Sequence, residues 1–290
     1  MDPKSPIPRK IVIVAHPKVP EAAPEAKELA AYLQEHDTQT VHGMLYDEGL
    51  RKRVKAGEFD LLIALGGDGT ILRAGHLCAP GELPLLGINM GRLGFLMEIH
   101  KQEWRSFIPR LLAGDYWLEN RMMLTAEHWR AGEKQGSWDV LNEVVVSRGQ
   151  TIRAVHIATM VDGRHLTTFV ADALIAATPT GSTAYALAAG GPILPPELRN
   201  ILLVPVAPHL SLDRALVLAE GSSVSMTVDG DSQAVFSVDG QAPVGLAESD
   251  RVDVFAGKHS VHFIRFQDPG YFYRNLTPHM GMNQSNYKNG

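Results

Sequence analysis

Five apolar residues, Leu61-Leu62-Ile63-Ala64-Leu65, run without polar interruption into Gly66-Gly67-Asp68-Gly69-Thr70. A short apolar run with no alternation predicts a strand buried on both faces, as in a parallel sheet. The glycines that follow permit positive φ and close approach of backbone to a ligand. Ile71-Leu72-Arg73-Ala74 then continues as a helix. Strand, glycine turn and helix together form the geometry in which N–H groups at a helix start face an anion. Asp68 is the odd member of such a turn. It makes sense if it orients or deprotonates an attacking hydroxyl, or holds a metal ion. The plain alternative is a tight turn with a surface aspartate, and the strand before and helix after it favour the functional reading.

The surrounding chain repeats the pattern. Ile11-Val12-Ile13-Val14-Ala15 is a second strand, ending at His16-Pro17-Lys18. Glu25 to His36 carries Leu29, Tyr32 and Leu33 at helical spacing, and Leu83 to Asn89 is a third strand that enters Met90-Gly91-Arg92-Leu93-Gly94. Alternating strands and helices predict a parallel α/β domain, with ligands at the C-terminal ends of its strands. Neither GxGxxG nor GxxxxGK[ST] occurs, so neither a dinucleotide fingerprint of that type nor a Walker phosphate loop is present. Trp104 to Leu112 reads as a helix, and the domain boundary is placed near residue 115.

From Met122 the character changes. Strand-like runs recur at Met122–Trp129, Val140–Ser147, Val155–Val161, Ala173–Ala177, Ile201–Val206, Ser223–Val228, Ala234–Val238, Arg251–Phe255 and Val261–Phe266. Asp162-Gly163, Asp229-Gly230 and Asp239-Gly240 supply turns. Many short strands predict an all-β, sandwich-like second domain. The expected division is residues 1–115, residues 116–270, and a tail, 271–290, that packs back on the first domain and frays at its end.

A second small-residue segment follows Ala173–Ala177: Thr178-Pro179-Thr180-Gly181-Ser182-Thr183-Ala184-Tyr185-Ala186-Leu187-Ala188-Ala189-Gly190-Gly191-Pro192. Ser182 or Thr183 is placed to cap a helix running to about Ala189, ended by Gly190-Gly191-Pro192. Tyr185 either stacks on a ligand ring or packs in the core. Asn142-Glu143 enters the apolar run Val144-Val145-Val146; an amide beside a carboxylate suits base edges or sugar hydroxyls, and the alternative is an exposed pair at a strand entrance. The twelve histidines form no tight ligand set, so no zinc site is expected. A net charge of −5 argues against non-specific nucleic-acid binding. No apolar run is long enough for a membrane span, and no signal peptide is read at the N-terminus. With Cys78 as the only cysteine, a reducing compartment is expected, and a cytoplasmic protein.

Taken together, GGDGT at Gly66, GINMGRLGFL at Gly87, NEVVVSRG at Asn142, TPTGSTAYALAAGGPI at Thr178, VPVAPHL at Val204 and VDGQ at Val238 resemble the NAD kinase family. The resemblance spans about residues 11 to 270. It implies an α/β domain followed by a β-sandwich-like domain, and transfer of a phosphoryl group from ATP, or inorganic polyphosphate, to the adenosine ribose 2′-hydroxyl of NAD. It also implies Mg²⁺ or another divalent cation, and a homodimer or homotetramer. By resemblance Asp68 is the proton acceptor, with Gly69 beside it on the substrate and Arg73 a weaker candidate. Asn142, Glu143, Asp172, Thr183, Ala184, Tyr185, Ala186, Leu187 and Ala188 are implied to line the dinucleotide site, with Arg153, Ala207 and Gln241 also in contact. Val170 stands where some relatives carry a basic residue, and Ala173 where a glycine is common; the first bears on preference among NAD, NADH and NADP-like ligands.

Phosphoryl transfer is mostly positioning and charge neutralisation, and an aspartate of ordinary pKa, about 3.9, is a poor base for a sugar hydroxyl. Asp68 is therefore expected to orient the hydroxyl or hold the metal as much as to take the proton. A lipid kinase sharing GGDGT leaves the Thr178 segment unexplained. A non-catalytic NAD(P) sensor has no need of Asp68.

Overall fold

The computed structural model describes residues 5–91, 94–150, 152–209, 211–230 and 233–276. They form two units. Residues up to Asn120 together with those from Val261 onward make one, and Arg121–Ser260 the other.

The first unit is a parallel α/β domain. Its elements are β1 (Lys10–Ala15), α1 (Ala22–Gln34), β2 (Gln39–Met44), α2 (Glu48–Lys55), β3 (Leu61–Gly66), α3 (Asp68–Cys78), β4 (Leu85–Asn89), β5 (Ile99–His100) and α4 (Trp104–Leu112). The strand order is β4-β3-β1-β2, all parallel, with Ile13 opposite Ile63 and Gly66 opposite Asn89. β1, β3 and β4 are buried along their length, which is why they read as continuous apolar runs. α1 lays Ala22, Ala26, Leu29, Ala30 and Leu33 on them, and α4 adds Trp104, Ile108 and Leu111. β2 and α2 escape the sequence pattern. Among the described residues β2 pairs only with β1 and is half exposed, so its residues are mixed in polarity. α2 is mostly charged, buries Leu50 and Val54, and is capped by Asp47, whose Oδ1 accepts the Leu50 N–H at 2.8 Å.

The second unit holds antiparallel sheets. Its strands are β6 (Trp117–Arg130, which begins in the first unit), β7 (Glu133–Val140), β8 (Glu143–Arg148), β9 (Val155–Val161), β10 (Arg164–Ala171), β11 (Ala173–Ala177), β12 (Asn200–Val206), β13 (Leu216–Ala219), β14 (Ser223–Asp229), β15 (Ala234–Val238), β16 (Val244–Leu246) and β17 (Arg251–Arg265), with one short helix, α5 (Tyr185–Ala188), after β11. One sheet runs β13-β12-β11-β8-β15-β16; β10, β9, β14 and the first part of β17 pair in the other. Val144, Leu203 and Phe236 from the first meet Ile157, Met226 and Val254 from the second in one apolar cluster.

Several boundaries differ from the sequence reading. Val140–Ser147 is two strands, broken at Leu141-Asn142. Arg251–Phe255 and Val261–Phe266 are parts of a single strand, β17, and Gly257 in its middle lies against the Met123 and Leu124 backbone, where a Cβ would stand 3.1 Å away. The first division, between Asn120 and Arg121, lies within several residues of the expected 115, whereas the second, between Ser260 and Val261, precedes the expected 270. Phe263 pairs in parallel with Leu85, and Ile264 and Phe266 complete the first unit's core. In sequence Val261–Phe266 reads like the other strand-like runs that follow Met122. Residues 271–276 are helical; the expected fraying concerns 277–290, outside the described residues, as are Arg92 and Leu93 of the glycine-rich loop.

Candidate active site

In the first unit the chain leaves β1 for β2 on one side and later returns to β3 on the other, so the strand order reverses between β1 and β3. Open α/β sheets bind ligands at the C-terminal ends of the strands at such a point. Ala15 and Gly66 end these two strands, and His16–Lys18 and Gly67–Thr70 follow them. α3 starts at Asp68, earlier than the apolar residues suggest, with extended Gly67 (φ −105°) before it. None of the three glycines has a positive φ, so conformational freedom is not what they supply. Space is. A Cβ on Gly66 would stand 2.1 Å from Thr70 Oγ1, whereas Gly67 faces nothing within 4 Å. Its bare backbone is open to a ligand.

Asp68 is half-buried. Its Oδ2 accepts the Phe95 N–H at 3.1 Å, and Gly94 packs against its carboxylate. The loop that does this is itself held. Arg265 donates to Leu96 O at 3.0 Å and to Glu119 at 2.8 Å, and buried Glu98 accepts the Phe266 N–H at 2.5 Å. Burial raises the Glu98 pKa, opposed by the Arg265 charge. Around the strand ends the charge is positive. His16 Nδ1 accepts the Lys18 N–H at 3.2 Å, leaving Nε2 to carry the proton. Burial, then the charges of Arg73 and Lys18, lower the His16 pKa. Exposed Arg73 donates to Gly69 O at 3.3 Å. These groups suit a polyanion.

In the second unit three segments converge. Asn142 and Glu143 stand at the head of β8. The Thr178 segment leaves β11 alongside: its Thr178 N–H donates to Asn142 O at 2.8 Å and its Oγ1 to Leu141 O at 2.6 Å. Gly181 lies directly on Asn142, where a Cβ would be 2.1 Å from the carbonyl oxygen. The third segment is the turn after β15, whose Asp239 accepts the N–H groups of Leu141, Asn142 and Glu143 at 2.7, 2.7 and 2.9 Å. Glu143 is not an exposed strand-entrance residue: it is 7% accessible. Burial and then the Asp239 charge raise its pKa to about 7, against a hydrogen bond from the Tyr185 N–H. Its Oε2 is buried with no partner among the described residues.

The Thr178 segment does not form the expected long helix capped by Ser182 or Thr183. It makes a 3₁₀ turn, Thr180–Thr183, then α5. Ser182 is fully buried and ties the turn to Leu194, accepting its N–H at 2.9 Å and donating to Pro179 O at 2.6 Å. Thr183 donates to Thr180 O at 3.1 Å. Gly190 (φ +84°) and Gly191 close α5, with the Gly191 N–H on Ala186 O at 2.8 Å.

Of the expected site residues, Asp68, Gly69 and Arg73 lie together in the first unit. Asn142, Glu143, Thr183, Ala184, Tyr185 and Leu187 gather in the second. Tyr185 is 43% exposed, so its ring is not core. Ala186 is wholly buried, backbone included, so it offers no open surface to a ligand; Ala188 is exposed. Asp172, between β10 and β11, pairs with Arg148 at 2.8 Å. Ala207 (φ +46°), Gln241 and Arg153 are exposed. Gly94, Phe95, Thr178, Gly181 and Asp239 all fall inside segments that stand out in the sequence, but their partners lie far along the chain, so no single window displays the geometry they carry. Among the described residues no group of three or more His, Cys, Asp and Glu is placed to hold a metal ion, and no helix is long and apolar enough to cross a membrane.

Two family models match the chain: the ATP-NAD kinase N-terminal domain over residues 50–116 and the ATP-NAD kinase C-terminal domain over residues 141–266. Among curated proteins, the NAD kinase of Chloroflexus aurantiacus is 37% identical over 268 residues, covering 92% of this chain and 97% of the relative. That of Citrifermentans bemidjiense is 38% identical over 275 residues, covering 91% and 96%. In fold the chain is similar to yeast NADH kinase complexed with NADH (TM-score 0.83, 22% identity, 97% of this chain and 89% of that one). It is similar too to an NAD kinase from Archaeoglobus fulgidus in complex with ATP (TM-score 0.74, 23% identity, 93% and 98%).

Proposed function

The chain belongs to the NAD kinase family, and from that premise we propose how its residues share the transfer of the terminal ATP phosphoryl group to the adenosine ribose 2′-hydroxyl of NAD. The observation that carries the assignment is Asp68, a carboxylate fixed by the Phe95 N–H at 3.1 Å at the head of α3, beside open Gly67 and among cationic side chains. Gly67 and Gly69 offer backbone to the phosphates, and Arg73 adds charge. Asp68 orients the 2′-hydroxyl and accepts its proton as the ribose oxygen bonds to the γ-phosphorus and the bond to the ADP oxygen breaks. Orientation carries most of that role, because the transition state is loose and needs little bond-making from the protein.

In the second unit Asn142 and Glu143 hydrogen-bond the dinucleotide, and the Thr183–Ala188 segment, buried Ala186 apart, lies along it with the Tyr185 ring stacked on it. Glu143 Oε2, buried and without a partner among the described residues, supports this, since such an atom is costly unless a ligand group meets it. Asp172, Arg153, Ala207 and Gln241 complete the contacts.

A divalent cation fits Asp68. Mg²⁺ commonly takes one or two carboxylates and completes its shell with water and nucleotide phosphate oxygens, and would neutralise donor charge. The reading extends to a cytoplasmic enzyme, supported by Cys78 as sole and buried cysteine, and to the homodimer or homotetramer that the resemblance implies. The purified protein mixed with NAD, ATP and Mg²⁺ and assayed for NADP tests the reading. NADP formation supports it; NAD binding without NADP would make the protein a sensor instead.

A further inference from the structure

We propose that Asp239 is the positioning residue for dinucleotide recognition: its carboxylate gathers the Leu141, Asn142 and Glu143 N–H groups and so sets the backbone from which Asn142 and Glu143 meet the ligand. The proposal rests on the assignment of those two residues as dinucleotide ligands.

The geometry is specific to an aspartate. Oδ1 accepts from Asn142 and Glu143 at 2.7 and 2.9 Å, and Oδ2 accepts from Leu141 at 2.7 Å. The Asp239 N–H returns to Glu143 O at 3.0 Å. Hydrogen bonds to an ionised acceptor are about twice as strong as neutral ones, so the break between β7 and β8 is held in one conformation. Asp239 itself sits at φ +49°, a region that Asp and Asn tolerate better than other side chains. A longer acid would displace the oxygens, and an amide offers only one acceptor oxygen, leaving the Leu141 N–H facing an NH₂ group. The Thr178 segment docks on the same backbone, through Asn142 O and Leu141 O, so the clamp also sets where the path toward Tyr185 begins.

Asp239 has an electrical effect as well. Three elements pack on the head of β8. β11 places uncharged Ala177 opposite Glu143, α5 contributes the Tyr185 N–H, and the turn after β15 contributes the negative Asp239. Among the charged groups of the described residues it is Asp239 that acts on Glu143, holding its carboxyl toward the neutral form.

The test is calorimetric titration of NAD into wild type, Asp239→Asn, Asn142→Ala and Glu143→Gln across neutral pH, with steady-state kinetics alongside. For Asp239→Asn the NAD dissociation constant is expected to rise about tenfold, the scale of one lost charge-assisted hydrogen bond. The KM for NAD should rise with it while kcat and the KM for ATP stay near wild type. The pH midpoint of NAD affinity should fall, because a negative charge beside Glu143 is gone, and Glu143→Gln should lack that midpoint. A purely structural clamp would move the melting temperature without moving the midpoint. Wild-type NAD affinity and midpoint in Asp239→Asn, with Asn142→Ala weakened, would overturn the proposal alone. An unchanged Asn142→Ala would instead remove the recognition reading beneath it. Should Asp239→Asn not fold, amide exchange in the wild type decides: protection at Leu141, Asn142 and Glu143 supports the clamp, and exchange at the solvent rate there overturns it.

Discussion

Gly94 and the Asp68 carboxylate claim the same space: a Cβ on Gly94 would stand 1.9 Å from Asp68 Oδ2. The loop after β4 thus holds Asp68 in two ways, by the Phe95 N–H and by a backbone that comes close only because it lacks a side chain. Gly94→Ala should push the carboxylate off its seat. A misplacement of about 1 Å at a reacting group costs on the order of 10²-fold in rate, so kcat should fall by about that much. The NAD dissociation constant, measured by titration, should barely change.

Asp68→Asn keeps the shape and can still accept from Phe95, but removes the negative charge. If Asp68 orients and deprotonates the hydroxyl, kcat falls by roughly 10²–10⁴, with circular dichroism and NAD affinity near native. Wild-type turnover in this variant would sink the mechanism.

Tyr185 separates ligand stacking from core packing. Its ring is 43% exposed, so Tyr185→Ala forfeits little buried surface. KM for NAD should rise by roughly tenfold or more, the range of stacking on one aromatic ring, while the melting temperature moves only slightly. The reverse outcome would place the ring in the core.

Glu143 predicts a pH dependence of stability. Its carboxyl is raised from 4.5 to about 7 in the fold, so the folded state binds the proton more tightly than the unfolded chain. That contribution is complete below about pH 4.5 and is lost as pH climbs through about 7, a change of at most about 3 kcal/mol. Urea denaturation of the ligand-free protein should therefore show a steeper fall between these values in wild type than in Glu143→Gln. Parallel curves would remove the assigned titration.

Ser182→Ala tests the 3₁₀ turn. The hydroxyl is buried and serves both the Leu194 N–H and Pro179 O. Leaving these unpaired costs about 1–3 kcal/mol, read as a lower denaturation midpoint with an unchanged slope.

What was legible in the sequence follows from how each residue earns its conformation. β1, β3 and β4 are buried on both faces, so Ile11–Ala15, Leu61–Leu65 and Leu85–Asn89 stand out as apolar runs. Asp68 stands out because a carboxylate is out of place in an anion-binding turn. β2, β7 and β13 are largely half-exposed, and nothing local separates their mixed residues from loop. Ser182 looked like a helix cap because Ser before a small-residue helix usually is one; its partner, Leu194, is twelve residues on. The Asp239 clamp spans about a hundred residues of chain, and Gly94 is explained only once Asp68 is seen against it. Contacts of that kind leave a residue type in the sequence but not its reason.

The strand ending at Arg265 has a consequence for synthesis. Phe263 pairs with Leu85, and Ile264 and Phe266 lie in the same apolar cluster as Ile11, Leu61 and Trp104. A ribosome that has made α1 to α4 has still not made the strand that finishes the first domain; some 150 residues separate α4 from Phe263. Through that interval β4 waits with a partner missing and apolar surface uncovered. The nascent chain is thus exposed to chaperones and proteases for the time taken to translate an entire second domain, and a ribosome that stalls before Val261 releases a first domain unable to close its own core.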